Sequence, residues 1–225
     1  MEFVQIAIDG PAGAGKSSIA KELAKKFKFI YIDTGAMYRA LTLILMEKNI
    51  GIEDLKNIEY EAVNIDISFK IKDDMQDVFI GKRNVTEEIR SPLVSQKVSA
   101  VSAINVVRTE MVKKQQKLAA GNNVVMDGRD IGTVVLPEAK IKIFLTASAD
   151  ERAKRRFIEM KNKGHIIDFN NLLEDIKKRD HMDETRAISP LVAAKDAIVI
   201  DTTELNFEQV LNKIEEIAKE GIKNV

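Results

Sequence analysis

The chain contains no cysteine and no tryptophan among its 225 residues. Without cysteine it can form neither disulfides nor thiolate metal sites, and its redox compartment is left open. Neither sign of charge is in excess, because 35 Lys and Arg residues balance 35 Asp and Glu residues. A general nucleic-acid binder normally carries a basic excess, so we expect no nucleic acid polymer as a partner.

Long apolar runs are also missing. The N-terminal run, Phe3–Ile8, ends at Asp9 and is too short for a signal peptide. No stretch approaches the roughly 20 apolar residues that a membrane-spanning helix needs. Hydrophobic residues still make up 45% of the chain, which is enough for a sizeable core. We expect a soluble, cytoplasmic monomer without a membrane partner, folded as a single domain over residues 1–225.

A complete G-x-x-x-x-G-K-S phosphate loop stands near the start of the chain. Its residues are Gly10, Pro11, Ala12, Gly13, Ala14, Gly15, Lys16 and Ser17. Glycines let the backbone curl until successive N–H groups point at one anion. The lysine adds a charge for the β- and γ-phosphates, and the serine offers a hydroxyl to Mg²⁺. The motif predicts binding of a nucleoside triphosphate with Mg²⁺; the alternative is a Gly/Ala-rich turn that matches by chance.

The flanks of this loop support the first interpretation. Phe3–Ile8 is typical of a buried strand, and residues 18–29 are typical of a helix. The loop would then deliver phosphate to a helix N-terminus, where N–H groups and the macrodipole favour negative charge. Ser18, at the start of that helix, joins the candidate ATP-binding residues.

Short apolar strands alternate with helical segments along the rest of the chain. Further strands are predicted at 29–32, 124–126, 141–145 and 197–200, with helices at 36–48 and 207–219. This order predicts an α/β fold with a parallel five-stranded sheet flanked by helices.

One region breaks the alternation. Residues 64–71 alternate apolar and polar side chains, Asp73 and Asp74 supply a turn, and residues 77–80 return as a second strand. We therefore expect a small antiparallel insertion at about 62–90. After it, the pair Ser91-Pro92 predicts the start of a long helix that runs to about Ala120 and contains Arg108.

A phosphate loop alone does not define a reaction. Guanine-specific binding usually needs Asn-Lys-x-Asp, which the sequence lacks. ATP-driven motors need larger machinery than this length provides. Small-molecule kinases remain, and they need a second anion-binding site on other loops.

Candidate residues for such a site follow the predicted strands. Thr34 and Arg39 follow the second strand and Gly128–Asp130 the third, where open α/β sheets bind ligands. The spacing of Arg179, Asp183 and Arg186 would place all three on one face of a helix. Each residue taken alone could equally be a surface ion pair or a solvated helix charge.

Taken together, these stretches resemble the bacterial-type cytidylate kinases. The resemblance runs in order over nearly the whole chain and is carried by residues 8–17, 33–39, 127–135 and 179–186. The family comprises P-loop kinases that move the γ-phosphate of ATP to CMP or dCMP. It implies a core domain, a mobile helical lid and a monophosphate-binding region enlarged by an antiparallel insertion.

The resemblance also implies a role for each matching residue. These roles are the grip on the CMP phosphate (Arg39, Arg129, Arg186), the reading of cytosine (Ser99, Arg108, Asp130), ribose contacts (Tyr38, Arg179, Asp183) and a hydroxyl near the monophosphate nucleotide (Thr34). Lys16, Arg129, Arg179 and Arg186 form the expected catalytic set. Asp127 ends an apolar strand, either as a second Mg²⁺ ligand beside Ser17 or as a strand-end cap.

The lid is expected at about 150–170, where a strongly basic helix begins. Arg152 shares a helix face with Arg155 or Arg156, and these arginines are candidate ATP ligands. They form either a solvated charged face or a set that swings over the ATP phosphates.

No general base is expected, since phosphoryl transfer depends mainly on positioning and charge neutralisation. Two rivals to CMP phosphorylation remain. One is a P-loop kinase for uridylate or a non-nucleotide acceptor, and the other is a nucleotide-dependent switch that binds a protein through the insertion.

Overall fold

The structure, a computed structural model, describes residues 3–72, 75–162, 164 and 166–223. The turn predicted at Asp73 and Asp74 lies outside the described residues, as do Lys163 and His165 of the predicted lid. The chain divides into two compact units, residues 1–31 with 119–225 and residues 32–118, which we call the first and second unit.

The secondary-structure elements follow one another in this order. The strands are β1 (Gln5–Asp9), β2 (Ile30–Asp33), β3 (Ile67–Lys72), β4 (Met75–Ile80), β5 (Arg83–Asn84), β6 (Val124–Gly128), β7 (Ile141–Thr146) and β8 (Ile198–Asp201). The helices are α1 (Lys16–Phe27), α2 (Thr34–Glu47), α3 (Leu55–Asn64), α4 (Pro92–Ala103), α5 (Asn105–Ala119), α6 (Ala149–Asn162), α7 (Phe169–Thr185) and α8 (Phe207–Lys223). A 3-10 turn spans Glu88–Arg90, and a π-helical turn spans Ile131–Val135.

A five-stranded sheet with the order β2-β6-β1-β7-β8 confirms the predicted fold class. β1 pairs in parallel with β6 and β7, and β7 pairs in parallel with β8. Ile6, Ala7 and Ile8 are fully buried, as a central strand covered on both faces requires. The edge strand β8 instead leaves Val199 57% exposed. The carboxyl ends of the parallel strands therefore share one edge, where β1 delivers the phosphate loop.

The core of the first unit packs helices against this sheet. Ile19 and Leu23 of α1 and Val210 and Ile214 of α8 join the buried strand residues. Their spacing of four residues places each pair on one helix face. The predicted helix 207–219 continues to Lys223.

The second unit contains α2 to α5 and an antiparallel sheet with the order β3-β4-β5, which lies within the predicted stretch 62–90. Its own core gathers Leu41, Ile58, Val78, Ile89 and Met111. Polar and apolar residues alternate along β3, whereas residues 78–80 of β4 are all apolar. Val78 is buried in this core, and Phe69 and Ile80 pack against it.

The prediction of one long helix after Ser91 was wrong. Ser91 does cap α4 and Pro92 is its first residue, but Ile104 adopts extended dihedral angles (φ −72°, ψ 126°) and separates α4 from α5. The break exposes carbonyl groups at the end of α4, and Arg108 donates from Nη1 to the Ser102 carbonyl at 3.2 Å. A buried arginine thus completes the hydrogen bonding of a helix C-terminus.

Two predicted helix starts were late by two residues. α1 begins at Lys16, because Gly15 (φ 88°) leads directly from the phosphate loop into the helix. α2 begins at Thr34, and the Asp33 carboxylate caps it by accepting from the Ala36 N–H at 2.8 Å. In the part of the chain that the structure describes, no helix has both the length and the apolar character needed to cross a bilayer.

Candidate active site

The phosphate loop lies between β1 and α1 and turns on three glycines with positive φ angles. Gly10, Gly13 and Gly15 have φ values of 143°, 80° and 88°. At Gly10 no other residue fits, since a Cβ there would lie 1.9 Å from the Leu145 carbonyl oxygen. The loop therefore owes its curvature to its glycines, and its backbone approaches β7 closely.

Lys16 is the central charge of this loop. Its side chain is buried, and Nζ donates to the Pro11 carbonyl at 2.7 Å. Burial lowers the pKa of Lys16 well below its ordinary value, and repulsion from Arg129 and Arg179 lowers it further. Asp127 and Asp9 oppose this shift. Two arginines and two carboxylates therefore act on the buried Lys16 charge.

Ser17 and Asp127 lie side by side at the start of α1 and the end of β6. Ser17 Oγ donates to Asp127 Oδ2 at 2.8 Å, and Tyr31 Oη donates to Asp127 Oδ1 at 2.8 Å. Tyr31 comes from β2, so neighbouring strands orient one carboxylate. A hydroxyl and a carboxylate in this arrangement are oxygen donors of the kind that Mg²⁺ prefers.

Arg129 and Arg186 share the carboxylate of Asp183. Arg129 Nε donates to Asp183 Oδ2 at 3.0 Å, and Arg186 Nη1 lies 3.8 Å from Asp183 Oδ1. Arg186 is the residue that ends α7 and has left the helix (ψ 141°), so the predicted common helix face does not reach it. Arg179, one turn before Asp183, completes this group on α7. Asp130, next to Arg129, is buried.

The three arginines of α6 lie in three different environments. The Arg152 side chain is buried, donating from Nη1 to the Ala12 carbonyl at 3.1 Å and pairing through both terminal nitrogens with Asp180. Arg155 donates from Nη2 to the Thr202 carbonyl at 2.6 Å and pairs with Glu151. Arg156 is half-exposed and pairs with Glu159 on its own helix. The basic run is thus more than a solvated face, and Arg152 contacts the phosphate loop itself.

The second unit arranges the remaining candidates in two pairs. Arg39 Nη2 donates to Asp33 Oδ2 at 2.9 Å, next to Thr34 at the start of α2. The Arg108 guanidinium carbon lies 5.3 Å from the centre of the Tyr38 ring, within the range of a cation–π contact. Ser99 is a half-buried residue of α4, and its carbonyl accepts from Ser102 Oγ at 3.0 Å.

Several residues of these networks escaped the sequence analysis. They are Asp9, Tyr31, Asp33, Asp180 and Thr202. Asp9 and Asp33 end strands of the sheet and Thr202 directly follows β8, and a polar residue at the carboxyl edge of the sheet is a signal that sequence alone could supply. Tyr31, within β2, and Asp180, within α7, have no such signal.

Comparison with known proteins adds the decisive observation. The family described as "Cytidylate kinase" matches residues 6–220. The chain belongs to the cytidylate kinase family. Among curated relatives, the cytidylate kinase of Caldanaerobacter subterraneus subsp. tengcongensis is 55% identical over 220 residues, covering 98% of this chain and 96% of the relative. That of Enterococcus faecalis is 51% identical, with 98% and 97% covered.

These matches confirm the resemblance drawn from the motifs and make the chain an enzyme of the cytidylate kinase type. Among solved structures, the shikimate kinase from Bacteroides thetaiotaomicron aligns with a TM-score of 0.50 at 14% identity, covering 98% of both chains. At that identity the likeness concerns the fold alone. The shared fold agrees with the parallel sheet flanked by helices.

Proposed function

We propose that the chain transfers the γ-phosphate of ATP to CMP or dCMP, giving ADP with CDP or dCDP. The observation that carries this proposal is the phosphate loop itself, in which the buried Lys16 donates to the Pro11 carbonyl and Ser17 donates to the Asp127 carboxylate. Phosphoryl transfer requires fixed positive charge around the transferring group and little else from the protein. Family membership and the names of the relatives support CMP as the acceptor.

On the donor side, the loop Gly10–Ser17 holds the ATP phosphates through its backbone N–H groups, and Ser18 extends the cradle into α1. Lys16 then exchanges its contact with the Pro11 carbonyl for the β- and γ-phosphate oxygens. Arg155 and Arg156 of α6 exchange their partners Glu151 and Glu159 for ATP phosphate oxygens. Arg152 instead supports the loop through its contact with the Ala12 carbonyl.

Mg²⁺ fits the oxygen pair of Ser17 and Asp127, which lie in hydrogen-bond contact with each other. These two residues would hold the ion together with substrate phosphate oxygens, the usual manner of Mg²⁺ binding in kinases. When bound, the ion neutralises charge on the β- and γ-phosphate oxygens. Tyr31 keeps the Asp127 carboxylate oriented toward Ser17.

On the acceptor side, Arg129 and Arg186 grip the CMP phosphate, and Asp183 holds both guanidinium groups in place before the nucleotide arrives. Planar guanidinium groups suit this role because they bind phosphate through two parallel hydrogen bonds. Arg179 and Asp183 contact the ribose. The Asp130 carboxylate accepts from the cytosine amino group and repels the uracil carbonyl.

The resemblance to the family also assigns CMP-binding roles to residues of the second unit. Arg39 binds the monophosphate, near the hydroxyl of Thr34. Tyr38 contacts the ribose, while Ser99 and Arg108 read cytosine. Each arginine begins with a partner in its own unit, Asp33 or the Ser102 carbonyl, so each is held in position before binding.

The reaction needs no general base, because the attacking group is already an anionic phosphate oxygen. The protein must align the two nucleotides and exclude water, and a lid at about 150–170 would do the latter on closing. We further propose that the enzyme works as a monomer on free nucleotides in the cytoplasm.

An acceptor panel tests the proposal. ADP release would be measured with CMP, dCMP, UMP, AMP and shikimate, with Lys16→Ala as the background control. We expect the highest kcat/KM with CMP or dCMP. Faster turnover with UMP or shikimate would assign another kinase activity, and equally slow turnover with every acceptor would indicate a nucleotide switch.

A further inference from the structure

Asp9, the last residue of β1, makes a contact that the proposed mechanism does not use. Its carboxylate accepts from the backbone N–H of Ile131 at 2.8 Å and from that of Gly132 at 2.7 Å. These groups lie 122 and 123 residues further along the chain. One carboxylate therefore ties the strand that enters the phosphate loop to a distant segment.

That segment follows directly on two proposed acceptor residues. Ile131 and Gly132 open the π-helical turn Ile131–Val135, immediately after Arg129 and Asp130. The other end of the turn closes back on Asp130, whose carbonyl accepts from the N–H groups of Val134 and Val135. Asp9 thus fixes the first two donors of a turn whose N-terminal residue is Asp130.

The contact is built into the core. Asp9 is only 4% exposed, and its strand partner in β6 is Gly128, the residue before Arg129. At Gly132 a larger residue would be tight, since a Cβ would lie 3.2 Å from Lys142 Cδ and 3.4 Å from Asp9 Oδ2, and these side chains would have to shift slightly. Burial raises the pKa of Asp9 to about 6, and the two N–H bonds oppose that rise. The fold keeps a carboxylate here at a cost in stability, which is typical of functional positions.

We propose that Asp9 is a positioning residue for the acceptor side of the reaction: its carboxylate, through Ile131 and Gly132, sets where Arg129 and Asp130 meet the monophosphate nucleotide. Asp9 contacts no substrate in this role. The inference rests on the proposed function, because Arg129 and Asp130 must bind the acceptor for their placement to matter.

Asp9→Asn tests the proposal, since the amide retains one acceptor and turns a donor toward the other N–H. We expect kcat/KM for CMP to fall by about ten- to a hundredfold, the range for a misplaced binding group, while KM for ATP stays within about twofold. Gly132→Ala should give a smaller loss of the same kind. Gly132→Ala moves the segment without changing any charge, so it tests the positioning role of Asp9 even if Asp9→Asn does not fold.

Asp201→Asn is the matched control. Asp201 also ends a strand of this sheet, and its carboxylate accepts from the Thr203 N–H at 2.8 Å. We expect wild-type kinetics for CMP from this variant. Amide hydrogen exchange at Ile131 and Gly132 should accelerate in Asp9→Asn and remain unchanged in Asp201→Asn.

Three results would overturn the proposal. Unchanged kcat/KM for CMP in both test variants would show that the hydrogen bonds from Ile131 and Gly132 to Asp9 have no kinetic role. A rise in KM for ATP as large as the loss toward CMP would indicate that Asp9 acts through Lys16. An equal loss in Asp201→Asn would point to general stability. A wild-type enzyme that does not phosphorylate CMP would instead refute the proposed function, so the two failures are distinguishable.

Discussion

The neighbourhood of Lys16 and the basic run on α6 are both rich in cations, but they are neutralised differently. On α6, Arg152 pairs with Asp180, Arg155 with Glu151 and Arg156 with Glu159. Lys16 instead donates to a backbone carbonyl, and two arginines contribute to lowering its pKa. Residues that look alike in the sequence therefore perform different tasks. We infer that the cations around Lys16 act on an anionic substrate while Asp183 holds Arg129 among them, and that the buried pair of Arg152 with Asp180 stabilises the fold.

We expect the largest effect from a substitution at Arg152. Arg152→Ala leaves the nearly buried Asp180 without its partner and removes the donor to the Ala12 carbonyl. Breaking a buried ion pair from one side typically costs about 3–5 kcal/mol, so unfolding in urea should occur at a clearly lower midpoint. Arg156→Ala, which breaks a surface pair, should change stability by less than about 0.5 kcal/mol. Equal losses of stability in Arg152→Ala and Arg156→Ala would mean that the arginines of α6 form one uniform charged face.

The second prediction concerns Lys16 itself. Lys16→Ala should fold normally, because it removes a buried and repelled charge, yet it should lower kcat by at least about a hundredfold. Steady-state ADP release measures the loss, with Lys154→Ala on the exposed side of α6 as the charge-matched control. Near-normal turnover in the folded Lys16 variant would contradict the assignment of the phosphate loop.

The third prediction follows from the raised pKa of Asp9, about 6 in the folded protein against 3.8 ordinarily. The folded state holds this proton more tightly, so the contribution of Asp9 to stability is full below pH 3.8 and is lost as the pH rises to about 6. Asparagine does not titrate. The unfolding free energy of Asp9→Asn relative to wild type should therefore rise by about 2 kcal/mol between pH 4 and pH 6.5. A difference that is flat across this range would show that burial does not penalise the charge.

The smallest expected effect is a change of specificity at Asp130. The alternative role for Asp130 was to orient Arg129 by an ion pair, and Asp183 supplies such a pair to Arg129. Asp130→Asn keeps the shape but adds a donor, so the ratio of kcat/KM for CMP over UMP should fall by about tenfold, mainly through loss of CMP activity. If both nucleotides lose activity in equal proportion, Asp130 does not read the base.

Much of the fold could be predicted because its signals are local. A few neighbouring residues are enough to recognise the apolar strands, the glycines of the phosphate loop and the Ser91-Pro92 cap. The break at Ile104 could not be predicted, since neither glycine nor proline marks it. It arises in a core where Ile104 packs as a partly buried residue, and tertiary packing overrides helix propensity there.

In the candidate site too, local motifs could be predicted and long-range contacts could not. Lys16 and Arg129 stand in motifs, so the sequence indicates them directly. The partners that orient them come from distant parts of the chain: Asp183 lies 54 residues from Arg129, and Asp180 lies 28 residues from Arg152. A sequence pattern indicates which residues carry charge, and only the folded chain shows which of those charges are already paired.

We propose that the phosphate loop with Lys16 serves phosphoryl transfer to a cytidine monophosphate. Incubating the enzyme with CMP, Mg²⁺ and ATP labelled at the γ-phosphate, and identifying the labelled product, tests this transfer. We expect label in the β-phosphate of CDP, with ADP formed in equal amount. Label found only in inorganic phosphate, with CMP unchanged, would contradict it.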